Sequence, residues 1–216
     1  MSSLDQARRN AGAASREAFV EQEFHAGKDL QSANAKVLPA TAADVVTFWR
    51  QAGPSMWFAK DADFDRRFRG MFLGEYEAAA RGDLDHWMTT PEGALALLLL
   101  LDQFPRNSFR GTPRMYATDA AARRTATAAV DAAHDQQMPP QLRIFFYLPF
   151  AHSEDLADQD RAVALCRHLG PPNSVNSERH RDIVRRFGRF PHRNPILGRN
   201  ITQQELEFLD QGGYSG

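Results

Sequence analysis

Residues 94–101 read Ala-Leu-Ala-Leu-Leu-Leu-Leu-Leu, an apolar run with no polar face in any helical register. Thr90 and Pro91 stand just ahead of it, a capping hydroxyl followed by the residue best suited to the first helical position. The polar group Asp102-Gln103 and then Phe104-Pro105 follow it, and the helix is expected to end there. A helix that is apolar all round must be covered all round. This segment therefore marks the centre of the fold and obliges other elements to pack about it. It is far shorter than the ~20 residues that cross a bilayer, so it reads as core and no membrane partner is expected.

The elements available to cover it are helical. Thr41 with Asp44 forms a capping-box pattern ahead of Val45, Val46, Phe48 and Trp49, and Gly53-Pro54 stops that helix. Phe64, Phe68, Phe72 and Tyr76 recur every fourth residue and place an aromatic stripe on a helix over 61–81. Further helices are expected near 119–134, 139–148, 153–169 and 177–187, the last closed by Gly188. Thr202 with Glu205 opens a short helix to about 210. No run of alternating β-branched residues bounded by turns occurs, so the fold class is all-α, with antiparallel helix pairs joined by short proline-rich loops. Residues 1–40 are alanine-rich and poorly patterned and are read as an N-terminal extension, partly helical or disordered. Residues 41–213 are read as a single all-helical domain.

A formal net charge of −1 over 216 residues gives no global basic field, and nucleic acid is not an expected partner. The single cysteine, Cys166, excludes an internal disulfide and fits a reducing compartment; with no apolar signal core at the start, a cytoplasmic location is expected. Against this balanced background the segment 179–199 carries seven arginines and two histidines around one acid, Asp182. Guanidinium groups at that density either pair with internal carboxylates or receive an anion.

Three clusters supply candidate chemistry. In the first, Asp102 is a candidate base, while Arg106, Asn107 and Arg110 are candidate holders of a carboxylate or phosphate. In the second, His152 precedes Ser153-Glu154-Asp155, where Ser153 suits an N-cap and the acids suit the positive end of a helix dipole. His152 is left free to act as acid, base or ligand. In the third, Arg186, Arg189, Arg193, His192 and Asn194 either converge on an anion or tie the C-terminal loop to Asp102, Glu154 and Asp155. Arg181, Arg185 and Arg189 share one face if the helix runs that far. Trp57, next to Phe58 in a loop, is the aromatic expected at a pocket wall. His152, His180 and His192 with nearby acids include enough ligand types for a metal, but no compact ligand spacing occurs and the arginines oppose a cation. No metal is assigned, and no cofactor fingerprint is present.

Four stretches also carry a family resemblance. They are Trp57-Phe58 with Phe64-Asp65; Leu101-Asp102-Gln103-Phe104-Pro105-Arg106-Asn107 with Phe109-Arg110-Gly111-Thr112; Phe146-Tyr147-Leu148-Pro149 with His152-Ser153-Glu154-Asp155 and Gln159; and His180 with Arg186 through Asn194, then Leu197-Gly198-Arg199. Over roughly 42–210 the chain resembles the bacterial domain of unknown function 924 family. That resemblance implies a tetratricopeptide-like right-handed superhelix and brings no activity with it. Ile201 stands where a serine is more usual, a departure that touches a cap.

The expectation is a concave pocket lined by Asp102–Arg110, the His152 turn and the 186–194 loop, binding a small anionic metabolite through Arg106, Arg189 and Arg193. If the chain is an enzyme, His152 or His192 moves the proton, Asp102 or Glu154 orients that histidine, and hydrolase- or lyase-type chemistry fits better than redox. The alternative is a helical binding module that grips an acidic peptide or a protein C-terminus. Oligomeric state has no signal in the sequence.

Overall fold

A computed structural model describes residues 39–216, so all but the end of the expected N-terminal extension lies outside the described residues. Every regular element among them is helical. α1 (Ala42–Ala52) opens on the Thr41 box: the Asp44 carboxylate accepts the Thr41 N–H at 2.8 Å while Thr41 Oγ1 accepts the Asp44 N–H at 3.3 Å. A single turn, α2 (Pro54–Trp57), leads to α3 (Ala62–Arg81), capped by Asp61. Phe64, Phe68, Phe72 and Tyr76 are all buried on one face of α3, although Phe72 leaves helical backbone (φ −129°, ψ 16°) and kinks the helix. The Phe68 ring lies 5.4 Å from Trp49 and 5.1 Å from Phe104, so the stripe joins α1 to the central helix.

That central helix begins as α4 (Pro91–Leu98), with Thr90 Oγ1 accepting the Gly93 N–H at 3.1 Å. Glycine is required at 93: a Cβ there would run into the Trp87 carbonyl. Every residue from Gly93 to Leu98 is buried, and α4 packs against α1, α6 (Asp119–Asp131) and α7 (Pro140–Ala151). The chain does not stop at Phe104-Pro105 as the sequence suggests. It widens into a π-helical turn, Leu99–Gln103, and continues as α5 (Phe104–Ser108). Proline fits the second position of the new segment because the first N–H groups of a helix lack intrahelical acceptors.

α6 ends at Asp131, short of the expected 134, and α7 runs through Pro149 rather than ending at 148. α8 (Leu156–Arg167) starts later than the sequence suggests, since its cap is Asp155, accepting the Ala157 N–H at 2.7 Å, and not Ser153. α9 (Asn173–Phe187) is closed by Gly188 in the left-handed region (φ 71°), and α10 (Gln203–Asp210) carries the Thr202–Glu205 capping box. α7, α8 and α9 pack in succession. No helix among the described residues is long and apolar enough to cross a membrane.

Candidate functional site

The π-turn is where the core meets polar chemistry. Its wider winding lets the Phe104 N–H reach back to the Leu99 carbonyl, and such turns recur at functional sites. Pro105 has no N–H for the Leu101 carbonyl, and Thr118 Oγ1 supplies the missing donor at 2.6 Å. Thr118 immediately precedes α6, so this bond docks the start of α6 beside α5. Asp119 is thereby placed 2.9 Å from Nη1 of Arg106.

Asp102 lies in the π-turn and is 1% exposed. Its Oδ1 is 2.8 Å from His152 Nδ1 and 3.0 Å from Arg106 Nη1, and its Oδ2 accepts from Gln103 Nε2 at 2.6 Å. Burial alone would raise this carboxyl, but Arg106 and His152 together hold it well below the usual carboxylate range. Asp102 is therefore ionised and Nδ1 of His152 carries the proton. Nε2 takes no hydrogen bond among the described residues and is not closed off. Burial and the Arg106 charge lower the His152 pKa further than Asp102 raises it, leaving a neutral imidazole with a bare nitrogen. Gln159, fully buried, fixes the turn that carries His152 by donating to the Ala151 and Ser153 carbonyls at 2.9 and 2.6 Å.

Arg193 approaches from the C-terminal loop. Its Nη2 donates to the His152 carbonyl at 2.9 Å, and its guanidinium sits 4.7 Å from the Tyr116 ring centre and 4.6 Å from that of Phe190. Asp119 Oδ2 is 3.7 Å from Nη1, too far for a hydrogen bond. Nη2 of Arg106 and Nε of Arg193, both buried, have no hydrogen-bond partner among the described residues, so the internal carboxylates there do not use every donor. Burial and the neighbouring Arg106 charge lower the Arg193 pKa.

These groups lie at one end of a cavity of about 720 Å³. Among the described residues, five cationic side chains line it, Lys60, Arg106, Arg110, Arg179 and Arg193, and no Asp or Glu does. Asp65, Asp102 and Asp119 contact the arginines from behind the wall. Lys60 and Arg179 are exposed and in no ion pair among the described residues. His180 and His192 also line it and pack against Tyr214, His180 tilted and His192 edge-on, with ring centres 4.6 and 5.1 Å away. Burial pushes them down to about 3 and about 4, so both are neutral. A smaller hollow of about 350 Å³ shares His152 and Arg193 with the main cavity. No three His, Cys, Asp or Glu among the described residues are grouped to hold a metal ion.

The structure thus brings Asp102, Arg106, His152, His192 and Arg193 together, with Trp57 at the opposite end of the cavity. Asn107 and Arg110 line the same wall, but both are held by Asp65, at 2.7 and 2.6 Å. Of four other expected residues, Glu154 lines the smaller hollow with His152 and Arg193, and three lie elsewhere. Glu154 does not orient His152; it accepts the Phe190 N–H at 2.8 Å and two bonds from Arg199. Arg189, beyond the end of α9, is held away from the cavity by Glu205 at 2.6 and 2.8 Å and by the Asn200 carbonyl, through its Nε and Nη2. Arg186 rests on Phe187 and Phe208. Asn194 is wholly buried and faces Glu205. Arg181 and Arg185 lie within ion-pair distance of Asp160. Lys60, Tyr116, Arg179 and Tyr214 were not singled out by the sequence. Lys60 had one signal, its place next to Ala59 after Trp57-Phe58, whereas Tyr214 in its Gly-Gly-Tyr context had none.

Comparison with known proteins agrees with this picture at the level of the family. The profile described as "Bacterial protein of unknown function (DUF924)" matches residues 45–213. A solved structure of a protein of unknown function from Agrobacterium tumefaciens is 55% identical in sequence with a TM-score of 0.78, covering 79% of this chain and 97% of that one. No curated protein matches the chain.

Proposed function

The chain belongs to the bacterial family of unknown function DUF924, and from that premise we propose that its cavity binds a small organic anion on which His152, held by Asp102, moves a proton. The observation that carries the reading is the charge of the wall: five cationic side chains and no acidic one, beside an imidazole whose Nε2 is free. A cavity of about 720 Å³ is of metabolite size, which favours a small ligand over an acidic peptide.

The chemistry that fits is hydrolytic or lyase-type. In hydrolysis, Nε2 of His152 takes a proton from water as the oxygen attacks the substrate, and the imidazolium returns that proton to the leaving group. In elimination, the same nitrogen takes a proton from the carbon beside the anionic group. The C–H electron pair forms a carbon–carbon double bond as the bond from the next carbon to the leaving group breaks, and the imidazolium gives that proton to the departing group. In both, Arg106 and Arg193 lie where developing negative charge is stabilised in a site of low dielectric. We read the consecutive helix pairs as the tetratricopeptide-like arrangement that the sequence resemblance implies, and the lone buried Cys166 as fitting a reducing cytoplasm.

A thermal-shift series with inorganic phosphate, phosphate monoesters and short carboxylates tests the binding. At least one anion is expected to raise the melting temperature of the wild type and to do so less in Arg193→Ala and in the exposed-site variant Arg179→Ala. No shift with any anion, or equal shifts in all three proteins, would overturn the assignment.

A further inference from the structure

We infer that the ligand is an elongated amphipathic anion, a carboxylate or phosphate head on an apolar body. This rests on the anion reading of the same cavity and specifies its substrate class. α7 contributes Ile144, Leu148 and Ala151 to the wall, and His152, its C-terminal cap with backbone still in the right-handed helical region, continues the same face. At 1.5 Å per residue that face is about 12 Å long.

Its two ends differ in chemistry. At the Ile144 end, Trp57 and Phe58 rest on Phe145 with ring centres 5.2 and 6.0 Å away, and Phe58 is 61% exposed at the mouth. At the His152 end stand Arg106 and Arg193, both largely buried. α9 lines the cavity in the same order: Asn173 first, then Ser177 beside the Cys166 thiol, then His180, whose ring is 6.5 Å from that of His152. Between the ends, Leu148, Ala151, Cys166 and Ser177 carry no charge; Asn173 and Asn176 make the α9 side polar, and Arg179 on that side is exposed, so its charge stays hydrated. Burial pushes the Cys166 thiol up to about 11, so it stays neutral there.

Lys60 lies beyond Phe58 and is exposed, so its charge stays hydrated, and Arg110 is already paired with Asp65. The desolvated cations that attract an anion most strongly are therefore at the inner end. A bare inorganic anion seated there would leave the apolar length of the cavity filled with water. A ligand whose hydrocarbon part lies along Leu148 and Ile144 removes that contact with water.

Isothermal titration of the full chain with straight-chain carboxylates from acetate to decanoate, with alkyl monophosphates of matching length, and with octanol tests the class. Affinity is expected to tighten roughly fourfold per added methylene and then level off when the face is filled. Octanol is expected to bind at least about tenfold more weakly than octanoate, since it lacks the charge-assisted bonds. Leu148→Gln should flatten the dependence on length while leaving the shortest anions unchanged. If that variant does not fold, the wild-type series alone decides. Equal affinity for short and long anions would overturn the amphipathic class and leave the anion reading standing. Binding of octanol as tight as that of octanoate, or no binding by any probe, would remove both. The carboxylate and phosphate series separate the two possible heads.

Discussion

Asp102 is the residue on which the chemistry turns, because one carboxylate serves both a neutral imidazole and a guanidinium cation. Its Oδ1 faces both His152 and Arg106, and its charge is what keeps the His152 pKa from falling further. Asp102→Asn is therefore expected to lower the imidazole titration midpoint of His152 below its wild-type position, as read by NMR of the ring nitrogens. A midpoint that stays put or rises would mean that Asp102 does not set the electrostatics of the histidine. The same change removes one of the two carboxylates that face Arg106, Asp119 being the other, and is expected to cost about 1–3 kcal/mol in denaturant unfolding. Both effects follow from one lost charge, so they should appear together. Asp102 and His152 were visible in the sequence as candidates, and their pairing was one of several combinations it left open. They are 50 residues apart, and Glu154, two residues from His152, was an equally good orienting group on local grounds.

Helix signals that depend on near neighbours were legible. The boxes at Thr41 and Thr202, the Thr90-Pro91 start and the Gly188 stop all form as their sequences suggest. Signals were misread where a distant partner competes. Ser153 looks like a cap, but Glu154 is drawn to the Phe190 N–H, 36 residues away, and the helix starts at Leu156 instead. Pro105 looks like a stop, but the Leu101 carbonyl that it leaves without an N–H is satisfied by Thr118, 17 residues further on, and the chain stays helical through a π-turn. Thr118→Val keeps the side-chain shape and removes that donor. It is expected to cost about 1–3 kcal/mol, the penalty for an unsatisfied buried carbonyl, and to loosen Asp119 from Arg106. Denaturant midpoints measure the first effect. Weaker stabilisation by anions measures the second, and an unchanged response to anions would separate the docking of α6 from the cavity.

At the scale of the molecule, the arginine-rich segment divides its labour in a way composition cannot reveal. Arg189 and Arg199 brace the C-terminal loop through Glu205 and Glu154, which frees Arg193 to enter the cavity with Arg106. The converging cations come from positions 60, 106, 110, 179 and 193, so only the folded chain reveals the charge of the wall. This arrangement also governs how the fold meets acid. His180 and His192 titrate at about 3 and about 4 in the folded chain, against an ordinary value of 6.5 for the unfolded one. Below pH 6.5 the unfolded state therefore binds more protons than the native state, and stability falls as the pH falls, by up to about 1.4 kcal/mol per pH unit for each histidine. Asp102, Glu154 and Glu205 act in a lower window, because their depressed pKa values cost stability only as the pH drops through the ordinary carboxylate range. Urea unfolding between about pH 6.5 and about pH 5 thus isolates the histidines. The wild type should lose stability steeply across that interval, and His180→Leu should lose it with a shallower slope, since one proton-binding site is gone from the unfolded chain. A wild-type stability that is flat over this range would mean that the two rings are not held neutral against Tyr214, and the electrostatic account of the inner end of the cavity would fall with them.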